Sequence, residues 1–131
     1  MQKGNGLPII YSGVVAKGRG LGRDLGYPTA NLVSQYGALP DIPHGVYAGW
    51  TNVNEKRYLS IMSFGKAETV GTTSISFEVH LLDYQGDLYG RELEVNIVLF
   101  LRNMIVFSSV EQLIDAMRED ERRARELLEE Q

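Results

Sequence analysis

Short stretches in which apolar and polar side chains alternate, followed by a change of period near the C-terminus, set the outline of this chain. Ile9 to Val15 is apolar and β-branched, and Gly45 to Val53, Leu59 to Phe64, Ser74 to Leu82 and Leu93 to Leu101 are rich in Val, Ile, Tyr, Phe and Trp. Strand side chains alternate between two faces, so each stretch predicts a strand. Asp83-Tyr84-Gln85-Gly86-Asp87, between the last two, predicts a hairpin turn. Farther on, Val110, Leu113, Ile114, Met117, Ala124, Leu127 and Leu128 recur at helical spacing, and Ser108 to Glu111 fits a capping box, which predicts one amphipathic helix over about 108–130.

Several short antiparallel strands and one helix suggest a closed or nearly closed barrel over about 9–101 with the helix packed on it, because closure removes exposed strand edges. No helix separates consecutive strands, so a parallel sheet is not expected. With 131 residues and 14.7 kDa, a single domain spanning 1–131 is the expectation. Cysteine is absent, no apolar run is long enough to cross a bilayer, and Met1 to Gly6 lacks the apolar core of a signal peptide. A soluble, cytoplasmic, monomeric protein with no membrane partner is therefore expected. The net charge of −4 argues against a nucleic-acid partner. Charge is unevenly spread: residues 1–31 carry Lys3, Lys17, Arg19 and Arg23 against Asp24, whereas residues 111–131 carry eight acids against four arginines. An anionic ligand would prefer the N-terminal part.

Candidate chemistry concentrates there. Glycines at 18, 20, 22 and 26 interrupt regular structure, and such a loop brings backbone N–H groups close to phosphate oxygens, with Arg23 as a fixed positive charge. It is neither a Walker A loop nor a dinucleotide fingerprint, since no Lys-Ser or Lys-Thr and no βαβ unit follows; a plain surface loop accounts for the glycines alone better than a phosphate cradle does. In Pro28-Thr29-Ala30-Asn31, proline favours an extended backbone, and Thr29 and Asn31 then project to one side. Their neutral oxygens suit Mg²⁺, which takes few protein ligands, though both residues are also common in turns and caps. On the stretch Ser74 to Leu82, Ile75, Phe77, Val79 and Leu81 face one way and Ser76, Glu78 and His80 the other. Glu78 fits either a solvated glutamate or a general base beside an acceptor hydroxyl. His80, near no cysteine cluster, fits a structural residue better than a metal ligand.

The words Gly22-Arg23-Asp24-Leu25-Gly26-Tyr27-Pro28-Thr29-Ala30-Asn31, Phe77-Glu78-Val79-His80-Leu81-Leu82-Asp83, Asp87-Leu88-Tyr89-Gly90 and Leu101-Arg102 occur in the order seen in riboflavin kinases. From about Ile9 to Leu128 the sequence resembles that family. The resemblance implies a mainly β fold, a six-stranded antiparallel Greek-key barrel with a C-terminal helix. It also implies transfer of the γ-phosphate of ATP to the terminal ribityl hydroxyl of riboflavin, giving FMN and ADP. It assigns Glu78 as catalytic base and Thr29 and Asn31 as ligands of Mg²⁺, with Zn²⁺ or Mn²⁺ as other metals of the same chemistry. Gly18, Arg23, Leu81, Asp83 and Tyr89 fall at nucleotide-binding positions, and Arg102, Ile105 and Phe107 in the segment that closes over the flavin. The stretch Ser60 to Thr69 departs from the family's usual words, which keeps a non-catalytic flavin- or nucleotide-binding module as the alternative.

Overall fold

The computed structural model describes residues 6–16, 29–34, 37–66 and 75–129. Six strands, β1 (Ile9–Ala16), β2 (Ala30–Val33), β3 (Gly45–Val53), β4 (Lys56–Lys66), β5 (Ile75–Leu81) and β6 (Glu92–Arg102), precede the helix α1 (Val110–Ala124), which runs into a π-helical turn at Arg125–Glu129. The strands close into an antiparallel barrel in the order β1-β2-β5-β4-β3-β6. Within it β2-β5-β4-β3 is a Greek key: β3, β4 and β5 form a meander, and β2 lies beside β5. The expected mainly β barrel with one C-terminal helix is thus the fold observed.

Three local expectations change. Thr29 to Asn31 leads into a strand of its own, β2, too short to carry a pattern. Asp83 to Asp87 does not close a hairpin, because β5 and β6 are not neighbours. The connection spans two intervening strands and is tied to β1, the Gly90 N–H donating to Val15 O at 2.8 Å and the Val15 N–H to Arg91 O at 2.9 Å, with Leu88 buried beneath. Turn residues report that a chain reverses, not which strand it joins next. The two-residue hairpin lies instead between β3 and β4, where Asn54 and Glu55 take φ of 52° and 67°, the left-handed values that match strand twist.

The capping box is displaced by one residue. Ser109, in extended conformation, is the N-cap and its side chain accepts from the Gln112 N–H. Gln112 Oε1 reaches back to the Ser108 N–H at 3.3 Å and the Ser108 hydroxyl at 2.8 Å. A serine and an acid three apart occur one position earlier, but it is the Gln112 N–H that is capped, by Ser109, and Leu113 then falls on the buried face.

Alternation then sorts the side chains. Leu32, Tyr47, Met62, Phe64, Phe77, Val79, Leu81, Val95 and Ile97 point into the barrel. Ile75, expected on the same face, is exposed at the start of β5. Outside, Val46, Ala48, Leu59, Ile61 and Leu101 meet Ala124 and Leu128 in a second core. This explains why β3 is apolar on both faces, and each large side chain so buried stabilises the fold by roughly 1.5–3 kcal/mol. At the β3–β6 seam the register slips between Ala48 and Gly49, and a Cβ on Gly49 would lie 1.9 Å from Asn96 O. Only glycine permits that approach. No helix among the described residues is long and apolar enough to cross a membrane.

Candidate active site

The helix packs on the outer faces of β3, β4 and β6, and the outward residues of β5, Ser76, Glu78 and His80, are polar. Glu78, flanked in sequence by the interior residues Phe77 and Val79, projects outward from β5. It is paired across the sheet with Asn31 of β2 and with Ser63 of β4. Directly opposed residues share a face with Cβ atoms about 4.5–5.5 Å apart, so Asn31, Glu78 and Ser63 form a polar row. Thr29, two residues before Asn31, joins it, and its Oγ1 donates to Glu78 Oε1 at 2.8 Å. No other described residue donates to that carboxylate.

Thr29 also lines a cavity of about 30 Å³ between barrel and helix. Ser63 and His80 bound it on the barrel side, Arg102 at the end of β6, and Met117 and Asp120 on the helix. Arg102 is held bidentately, Nε donating to Asp120 Oδ1 at 2.8 Å and Nη2 to Oδ2 at 2.9 Å. Asp120 is 3% exposed. Its charge is tolerated there because the guanidinium fork satisfies both oxygens. The Arg102 guanidinium also lies 5.6 Å from the Phe107 ring centre.

The three residues expected to carry metal and base chemistry are thus brought together. Of the expected flavin group, Arg102 and Phe107 meet, whereas Ile105 is exposed on the connection from β6 to α1. Of the expected nucleotide group, Leu81 turns into the barrel core, Tyr89 is exposed on the β5–β6 connection, and Gly18 and Arg23 lie outside the described residues. Asp83 follows β5 in a left-handed conformation (φ 63°) and is clamped by Arg125, whose Nη1 and Nη2 each donate to one of its oxygens at 3.0 Å. Those bonds hold the Asp83 carboxyl below the usual carboxylate range and push the Arg125 guanidinium up.

Ser63, Asp120 and Arg125 were not singled out by sequence, and His80 only as structural. For Asp120 a signal existed: Leu113, Met117, Asp120, Ala124 and Leu128 share one helical face, so an acid stands in an apolar stripe. Ser63 and Arg125 give no such sign, since Ser63 meets Glu78 across the β4–β5 pair and Arg125 meets Asp83 on the β5–β6 connection, far away in the chain.

The metal expectation can be tested on the donor set. Because Thr29 gives its proton to Glu78, its oxygen lone pairs remain for a cation, and the Asn31 amide adds a second neutral oxygen donor beside it. Two hard protein ligands, the rest left to water and phosphate, fit Mg²⁺.

The family model described as "Flavokinase: Riboflavin kinase" matches residues 5–128. The chain belongs to the riboflavin kinase family. It is 38% identical over 128 residues to riboflavin kinase of Homo sapiens, covering 94% of this chain and 83% of that protein. It is 36% identical over 112 residues to the RNA-binding riboflavin kinase RibR of Bacillus subtilis, covering 85% of this chain and 47% of that one. The chain spans less than half the length of that Bacillus relative. Among solved structures, a protein described as a macrolide-efflux protein from Streptococcus pneumoniae superposes with a TM-score of 0.80 at 35% identity, over 92% of this chain and 39% of that one. As a riboflavin kinase family member, the chain keeps Thr29, Asn31 and Glu78 in mutual contact or in register.

Proposed function

We propose that this chain is a riboflavin kinase that transfers the γ-phosphate of ATP to the terminal ribityl hydroxyl of riboflavin, yielding FMN and ADP. The observation that carries this is the Thr29–Glu78 hydrogen bond with Asn31 in register alongside, a carboxylate next to two neutral side chains whose oxygens suit a hard cation. Phosphoryl transfer asks little covalent chemistry of the protein and depends on positioning and charge neutralisation.

Thr29 and Asn31 would hold Mg²⁺, which supplies charge neutralisation on the phosphates when bound. Glu78 accepts the proton of the ribityl hydroxyl as its oxygen attacks the γ-phosphorus, and ADP leaves from the opposite side. The Thr29 hydroxyl orients the carboxylate by occupying Oε1 and leaves Oε2 to receive that proton. General-base catalysis of this kind contributes about 10²–10⁴-fold in rate. Arg102 and Phe107 border the flavin. On the nucleotide side, Asp83 and Tyr89 flank the adenine nucleotide, and the glycine loop with Gly18 and Arg23 takes the phosphates.

The test is incubation of the protein with riboflavin, ATP and Mg²⁺ followed by chromatographic separation of riboflavin from FMN. Formation of FMN and ADP in equal amounts supports the proposal. Riboflavin binding without FMN formation for any nucleotide and metal tried makes the chain a flavin-binding module instead.

A further inference from the structure

An aspartate on the apolar face of a packed helix needs a reason to be there. Asp120 is buried between Met117 and Ala124 on the face of α1 that meets the barrel, and each of its oxygens accepts from the Arg102 guanidinium. A helix docked only for stability would do as well with an apolar residue, because a buried ion pair replaced by packed hydrophobic groups is often neutral or stabilising. The pair is also placed selectively: both partners line the cavity that Thr29, Ser63 and His80 bound from the barrel. Arg102 is the last residue of β6, and the chain continues from it through Ile105 and Phe107 to the N-cap at Ser109. Arg102 Nη1 donates to Asn103 O at 3.2 Å, and its guanidinium faces Phe107. Fixing this one guanidinium therefore fixes the start of the segment beside the cavity.

We infer that Asp120 is a positioning residue for riboflavin: it acts through Arg102 to set the wall of the flavin site, and helix α1 is thereby part of that site and more than a cover for the barrel. With Asp120 ionised the pair is electrically neutral, so Arg102 offers the flavin a fixed planar surface and hydrogen-bond geometry, not an unpaired positive charge. Thr29 borders the same cavity, but its hydrogen bond goes to Glu78 and not to this pair, so metal–nucleotide binding should be far less sensitive to the pair than riboflavin binding. The inference rests on the proposed flavin kinase activity.

The test uses the whole chain with riboflavin, whose fluorescence reports binding directly, and Mg·ADP, followed by calorimetry. D120N keeps shape but loses the bidentate carboxylate, and R102K keeps charge but loses the fork. Each is expected to weaken riboflavin binding about tenfold or more, on the scale of a lost bidentate charge-assisted contact. Each should leave Mg·ADP affinity within about a factor of two, as expected where no hydrogen bond links the two groups, and should raise the KM for riboflavin more than it lowers kcat. The double variant should be no worse than the poorer single one. Unchanged riboflavin affinity in D120N, equal loss of riboflavin and Mg·ADP binding, or additive effects in the double variant would each overturn the inference. So would failure of both single variants to fold, since the pair would then serve the scaffold. Wild-type protein that binds riboflavin but makes no FMN sinks the kinase assignment while leaving the binding comparison intact.

Discussion

Thr29 and Glu78 stand 49 positions apart in the chain, and the hydroxyl of the first donates to the carboxylate of the second at 2.8 Å. The bond is possible because β2, only four residues long, pairs with β5 in a register that sets Ala30 opposite Val79 and Asn31 opposite Glu78. A slip of β2 by one residue would turn Asn31 toward the barrel interior while Glu78, held in register by β4, stayed outside.

Glu78→Gln preserves size and can still accept from Thr29, but cannot take up the hydroxyl proton. The variant should fold and bind riboflavin and Mg·ATP as wild type does, while kcat falls by about 10²–10⁴, equivalent to about 3–5 kcal/mol of transition-state stabilisation. Steady-state FMN formation checks this, and near wild-type turnover would remove Glu78 from the mechanism.

Asn31→Ala removes one of two neutral donors to the metal while leaving the flavin side untouched. Mg·ADP affinity measured by calorimetry should drop about tenfold or more, the scale on which weakened metal sites respond. Riboflavin affinity should hold; equal loss of both would point to a disturbed β2 instead.

Arg125 keeps the Asp83 carboxyl ionised below the usual carboxylate range. A depressed acid pKa in the folded state stabilises above the unfolded value, and that stabilisation disappears as pH falls through the folded value. The clamp between the β5–β6 connection and the helix end should therefore persist at neutral pH and release only under acid conditions below pH 3.8, the ordinary value for the group. In Arg125→Gln, an NMR titration of the Asp83 carboxyl carbon should find the midpoint moved up toward that value. An unmoved midpoint would mean that another group holds it down.

Gly49→Ala forces a methyl group against Asn96 O, a backbone atom that cannot rotate away. The β3–β6 bulge must open, at a cost of about 3 kcal/mol on the scale of overpacked interiors. Urea unfolding gives the value, and a loss below about 0.5 kcal/mol, the level of ordinary surface changes, would show that the seam adapts.

Ser109→Ala should destabilise by about 1 kcal/mol, the usual cost of removing an N-cap. Ser108→Ala should do less, since Ser108 binds the Gln112 side chain and not a helix N–H. Paired thermal melts distinguish the two, and the reverse order would return the cap to Ser108.

The sequence by itself determined every strand but the short β2, the helix and the polar face bearing Glu78, because period-2 and period-3.6 alternation are local consequences of backbone geometry. It also carried the family words from Gly22 to Arg102, and with them the pairing of Thr29 with Asn31. Only the tertiary structure decided which strands lie side by side. Turn residues at Asp83 to Asp87 are as consistent with a hairpin as with a connection across two strands, and the choice rests on which edges remain to be paired when the barrel closes. The same closure brings Ser63 and Asn31 to either side of Glu78. Helix docking joins Asp120 to Arg102 and Arg125 to Asp83 across 18 and 42 positions. The apolar stripe of the helix marks Asp120 as out of place but names no partner, since the attraction depends on separation in space and on the water excluded when the helix packs down.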